Sequence, residues 1–246
     1  MIILIFFACH WYLSLFFQTF FHHRYSAHQM FTMSPRTEKI FIFLSWIFQG
    51  SSYLSPYSYG ILHRLHHAYA DTEKDPHSPK YDKNIWMMMW RTKKIYCDIL
   101  DNKYPVEEKF KKDLPYWPEL ERLADRWIVR IAWGAFYVIF YMTFATSPWM
   151  YLLLPIHFLM GPFHGAIINW FAHTIGSVRF RMNDTSKNLF PVDLLMLGEG
   201  YHNNHHGHPG RANFGIKWYE IDPVYPFIKL FHWMRIIRLR AVPVHA

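Results

Sequence analysis

A chain of 246 residues, 52% hydrophobic and 20% aromatic, with 26 Lys and Arg against 18 Asp and Glu and a formal charge of +8, has room for one sizeable core but not for two ordinary domains and a linker. Its cations form no stripe, and the stretch from Asp71 to Arg126 balances acids against bases, which excludes a nucleic-acid binder. Only Cys9 and Cys97 are present, far apart and outside any paired motif. A disulfide framework and a thiolate iron–sulfur or zinc site are therefore excluded, so any metal takes nitrogen and oxygen ligands.

The mean hydropathy lies near zero because 17 histidines and many charges sit between long apolar runs, the pattern of membrane spans with a polar cap. From Met1 to His23 there is no Lys, Arg, Asp or Glu, and about 20 helical residues cross the hydrocarbon core, so residues 1–21 are predicted as the first span. This run lacks a basic leader and a small-residue cleavage site, and reads as a retained span. A second uncharged run, Ile40 to Leu62, is interrupted by Gly50-Ser51-Ser52 and Pro56. The third is uncharged from Ile131 through Val178 and is divided by Ser147-Pro148 into a predicted hairpin of spans at 127–146 and 149–171. Basic residues near the span ends mark the cytoplasmic face. Residues 63–126 and 174–246 form a cytosolic cap, and the whole chain reads as one domain.

Four histidine groups follow or end these runs: His23 with His28; His63-Arg64-Leu65-His66-His67; Asn169 with His173; and His202-Asn203-Asn204-His205-His206. If they share one site they must converge on one face of the membrane. The hairpin preserves the side, whereas a full crossing by 40–62 would not, so that run is read as an interfacial or re-entrant helix. His-x-x-His-His on a helix puts the outer residues on one face and turns the adjacent pair about 100° apart, so one pair can face two metals. Asn169 and His173, four apart, share a face, which suits a water-bridged ligand. Nine clustered imidazoles exceed the roughly four ligands that a single zinc site takes. Imidazole also suits iron, copper and nickel, so ligand type alone does not select the metal. Zinc hydrolysis would want His-Glu-x-x-His, which does not occur here. Oxygen chemistry on a lipid is the better fit. His10, His22, His77, His157, His164, His208, His232 and His245 are read as hydrogen-bonded core residues, and the tryptophans, phenylalanines and Met87-Met88-Met89 as packing or membrane-facing residues.

From about Phe20 to Pro209 the pattern resembles the membrane fatty acyl desaturases of the stearoyl-CoA (delta-9) type, in their bacterial acyl-CoA branch. The resemblance rests on the histidine groups, on Asp71-Thr72 and Asp75-Pro76-His77 after the second, and on Gly198-Glu199-Gly200-Tyr201 before the fourth. It implies an all-α integral membrane protein, a helical stem under a helical cytosolic cap with a di-iron site at their junction. His23, His28, His63, His66, His67, His173, His202, His205 and His206 would hold two non-haem iron ions, with Asn169 reaching one through water. It further implies an O2-dependent enzyme that puts a cis double bond into a fatty acyl chain, with no catalytic side chain beyond the ligands. Two departures stand out. The family has two spans before the first histidine group where this chain has room for one, so the start reads as truncated or misassigned, or a span has been lost. Ile61-Leu62 stands where the acyl-CoA branch carries Arg-Asp, which leaves an acyl-lipid substrate open beside acyl-CoA.

No motif here binds flavin, haem or an iron–sulfur cluster, so electrons are expected from a separate protein such as a ferredoxin, a rubredoxin or a cytochrome b5-like carrier, received by basic cap residues. An apolar tunnel is expected to hold the acyl chain, and Phe7 and Trp11 lie on the stripe of the first span that continues toward His23. Trp11, roughly 18 Å from His23 along the helix axis, is the candidate floor, the alternative being that it faces lipid near the outer interface, where tryptophan is common. The rival readings are a di-iron lipid or hydrocarbon hydroxylase, separated by its alcohol product, and a membrane metal transporter, which would carry its site near the middle of the membrane.

Overall fold

The computed structural model describes residues 1–240, so His245 lies outside the described residues. Helix α1, Ile2–Phe17, is an uninterrupted uncharged run and passes straight into a π-helix at Gln18–Ala27. The two make one helix of 26 residues, apolar enough to cross a membrane and longer than the span read from hydropathy. Gln29, with φ 50°, turns the chain into β1, Phe31–Met33. This pairs antiparallel with β2, Ile237–Leu239, a ribbon too short to show an alternating pattern in the sequence.

The Ile40–Leu62 run is two helices rather than one. In α2, Pro35–Gln49, Ser34 Oγ accepts from the Thr37 amide at 3.1 Å and Pro35 opens the first turn. Ser55 and Pro56 start α3, Pro56–Tyr69, in the same way. Between them Gly50, at φ 54°, ends α2 where an added Cβ would lie 1.8 Å from Tyr137 Oη, so only glycine fits without moving that ring. The cap follows with α4 at Ile85–Leu100, α5 at Glu108–Lys111 and α6 at Pro118–Ala124.

The predicted hairpin has one straight limb. Helix α7, Trp127–Phe144, is long and apolar enough to cross, and Ile128, Ile131, Ile139 and Met142 point outward as a lipid-facing surface would. The second limb is broken. A 3-10 turn at Pro148–Leu153 leads into α8, Leu154–Phe158, and then α9, Met160–Ala166, with a bend of 78° between the two halves. Pro162 explains the break, since it has no N–H and its ring would clash with the carbonyl four residues back, that of Phe158. That carbonyl instead accepts from Ser51 Oγ at 3.0 Å, while the Gly161 amide donates to Ser52 Oγ at 3.1 Å. The link between α2 and α3 thus satisfies the kink in the stem. A second π-helix at Ile167–Phe171 and a short α10 at Ala172–Thr174 end this limb, and α11, His202–Gly207, and α12, Tyr225–Trp233, complete the fold. The main core packs Phe17, Phe20 and Phe21 against Phe41 and Ile42 of α2 and Ile228 of α12, tying stem to cap.

Candidate metal centre

The four histidine groups converge on two adjoining sets. His23, His28, His63, His67 and His205 form one, His66, His173, His202 and His206 the other, and within each the nearest ring nitrogens all lie within 4.8 Å of one another. Local structure explains the sharing. On an α-helix His23 and His28 would point about 140° apart, but the i→i+5 bonding of a π-helix brings residues five apart round by about one turn. The amide of His28 does bond the carbonyl of His23, at 3.1 Å. In α3 and α11 the adjacent pairs His66/His67 and His205/His206 split between the two sets, as the helical twist requires.

The spacing fits metal coordination. Ligand bonds of about 2.0–2.1 Å from one ion put two nitrogens at right angles about 3 Å apart. His205 Nε2 lies 3.0 Å from both His23 Nε2 and His67 Nε2, and His28 and His63 face each other at 3.0 Å. In the other set His173 and His202 are 3.0 Å apart and His66 and His206 3.3 Å. One proton cannot satisfy three nitrogens turned toward a common point, whereas a cation accepts all their lone pairs.

Carboxylates stand behind the rings and fix which nitrogen faces inward. Asp75 accepts from His66 Nδ1 at 2.9 Å, Asp184 from His206 Nδ1 at 2.9 Å, and Glu199 from His23 Nδ1 at 2.8 Å, while His173 Nδ1 has Thr185 Oγ1 at 3.2 Å. Glu199 also accepts from the Thr19 hydroxyl and lies 3.5 Å from Arg24, whose fully buried guanidinium bonds Asp222 at 2.7 Å and lies over the Phe214 ring. Burial first, then the neighbouring imidazoles, hold His63, His67, His202 and His205 well below the usual imidazole range, which keeps their lone pairs free for metal. Burial alone would raise the carboxyls of Asp75 and Asp184, but their bonds to His66 and His206 outweigh it and hold both well below the usual carboxylate range. None of these carboxylates, nor Arg24 and Thr19, stands out by spacing. Asp75 and Glu199 are marked only by lying inside Asp75-Pro76-His77 and Gly198-Glu199-Gly200-Tyr201.

A cavity of about 50 Å³ opens beside both sets, lined by the apolar Leu15 and Ile168 and by the polar Gln18, Asn169, His77 and His202. Asn169 therefore lies where a small molecule would meet both it and the four-histidine set. Trp11 and Phe7 stand further back: Trp11 donates to the Leu195 carbonyl at 3.2 Å and packs edge-on, 4.5 Å away, against His164, which itself lines the cavity. Phe7 packs on Trp11 and His157. Most histidines read as non-ligands have ordinary partners: His10 pairs with His157, His157 with the Tyr141 hydroxyl, His22 with two backbone carbonyls, and His232 with the Leu239 amide. His208 packs edge-on against Phe180. His77 and His164 differ, for both are buried with neither ring nitrogen hydrogen-bonded among the described residues.

Fold and site together define a helical membrane protein with a paired, all-imidazole metal-binding centre. The chain belongs to the fatty acid desaturase family, whose sequence profile matches residues 1–231, and it is an oxidoreductase of that family. Among curated relatives it is 27% identical over 240 residues to Delta-9 acyl-lipid desaturase 2 of Arabidopsis thaliana, covering 92% of this chain and 70% of that protein. It is 28% identical over 212 residues to the sn-1 stearoyl-lipid 9-desaturase of a Synechocystis species, covering 84% and 61%. The Acyl-CoA C20 Delta5-desaturase of Anemone leveillei is 27% identical over 229 residues, covering 90% and 68%.

Proposed function

We propose that this chain is an O2-dependent di-iron desaturase that introduces a cis double bond into a fatty acyl chain and releases water. The observation that carries the reading is the pair of adjoining histidine sets opening on one cavity at the stem–cap junction. The nine histidines would hold two iron ions, which when bound supply the activation of dioxygen needed to break unreactive methylene C–H bonds. The protein's own part is placement. Asp75, Asp184 and Glu199 hold the Nδ1 atoms so that the Nε2 atoms face inward. Leu15, Leu62, Ile168 and Met196 line the cavity and exclude bulk water from the reacting carbons. His164, which lines the cavity and packs edge-on against Trp11, would with it form the stop for the acyl tail.

The reading extends to a single-domain, multi-pass protein with its site on the cytoplasmic side. Electrons come from a separate ferredoxin, rubredoxin or cytochrome b5-like protein, whose acidic surface would meet the basic cap. The relatives named above include acyl-lipid and acyl-CoA enzymes, and two of the three are delta-9 enzymes. Position nine is therefore the first to examine, with both head groups offered. Expression in a desaturase-deficient host followed by fatty-acid analysis tests the reaction. The expected product is a cis-monounsaturated chain, absent with His67→Ala. A hydroxylated chain in its place would assign the protein to the hydroxylase class.

A further inference from the structure

A buried imidazole without partners has given up its hydrogen bonds to water for nothing unless a bound molecule restores them. His77 is such a residue at the metal centre itself. It is 2% exposed, neither ring nitrogen has a partner among the described residues, and its ring stacks on His66 with centroids 4.2 Å apart and planes at 32°. Its position is fixed from behind. Asp75 Oδ1 accepts from the His77 amide at 3.0 Å and from His66 Nδ1 at 2.9 Å, and Asp75 Oδ2 accepts from the Asp71 amide at 2.8 Å. One carboxylate thus orients both rings, and Pro76 between them stiffens the link.

His66, Asp75 and His77 also have ligand atoms within 4.8 Å of one another, but this trio is not a third metal site. Asp75 is occupied by three N–H donors, and the Nδ1 of His66 that meets it points away from the four-histidine set. What remains is an imidazole with free donor and acceptor positions on the cavity wall it shares with Asn169 and His202. That cavity of about 50 Å³ has room for water-sized molecules, which need about 10–15 Å³ each.

We propose that His77 is a further positioning residue of this centre: beside Asn169, to which the family resemblance already gives a water, it holds one small hydrogen-bonding molecule in the cavity bordered by His202 of one set and His23 and His63 of the other, water in the resting protein and small anions such as azide in exchange. His77 is a positioning residue in this role: it holds the exchangeable molecule and not the metal. The proposal rests on the two-iron reading and is tested so that the two fail separately. Purified iron-loaded protein is titrated with azide by visible absorption, and iron per chain is measured on the same samples. In His77→Leu, iron is expected to stay at the wild-type level while azide binding weakens about tenfold, the loss of one hydrogen bond. His77→Gln, which keeps a donor and an acceptor, is expected to stay within about threefold of wild type. If His77→Leu does not fold, His77→Met serves as the apolar variant. Unchanged azide affinity in the apolar variant overturns the proposal while leaving the iron centre standing. Loss of one iron in both the apolar and Gln variants also overturns it, by making His77 a metal ligand. Wild-type protein that holds no iron removes the metal reading and this inference with it.

Discussion

Glu199 meets three groups at once: it accepts from His23 Nδ1 at 2.8 Å and from the Thr19 hydroxyl, and it lies 3.5 Å from Arg24. Because its charge fixes the His23 tautomer and offsets a buried guanidinium, Glu199→Gln is expected to weaken metal retention by about 10–100-fold while leaving all nine histidines in place. Dialysis against a graded chelator series followed by metal analysis checks this, and wild-type retention would make Glu199 a purely structural partner. His205 is the most connected of the ring nitrogens, at 3.0 Å from both His23 and His67. His205→Ala should abolish product and empty the five-histidine set. His232, whose ring accepts from the Leu239 amide at 3.3 Å, should tolerate alanine with activity within about twofold. A silent His205→Ala would remove that histidine from the centre.

At the scale of elements, two departures from regular α-helix build the site. The π-helix at Gln18–Ala27 brings His23 and His28 to the same set, and the break at Gly50–Ser55 lets α3 carry three histidines back against it. The break was legible, since Gly50-Ser51-Ser52 and Pro56 interrupt the run, although it separates two helices where one was read; the π-helix was not, because a π-turn follows from tertiary contacts and leaves no mark in hydrophobic periodicity. The bend before Met160 was missed for a related reason: Pro162 announces a kink, but the Ser51 and Ser52 hydroxyls that satisfy it come from more than a hundred positions away. Helix α6 offers a pH test. Burial pushes the Glu121 carboxyl up to about 7 against bonds from Ser55 and Tyr53 that lower it. A carboxyl raised on folding gives full stability below its unfolded value near 4.5, and loses it as pH rises through the folded value near 7. Glu121→Gln should therefore leave thermal stability nearly unchanged at pH 5 and raise it at pH 8 by roughly 2–3 kcal/mol. Melting curves of the detergent-solubilised protein decide it, and a variant destabilised at pH 8 would contradict the assignment. On α1, Trp11 supports His164 from behind at 4.5 Å, so Trp11→Ala should let that ring retreat and shift products toward longer acyl chains. A product distribution identical to wild type would show that Trp11 does not limit the chain.

Over the whole molecule, one centre gathers residues from His23 to His206, out of a π-helix, the helix after a broken run, the end of a kinked limb and a short helix in the cap. The nine positions were legible because two His-x-x-His-His groups in one chain are hard to explain otherwise, and the apolar runs placed the stem. The division into five and four, the carboxylates behind the rings and the unpartnered His77 were not, since each depends on which faces meet across the stem–cap junction. The central claim is that these two sets hold two irons in the working enzyme. Quantitative metal analysis of purified, catalytically active protein tests it most directly. About two irons per chain is the expected result, falling to about one or fewer in His205→Ala; active protein carrying a single metal ion, or zinc in place of iron, would contradict it.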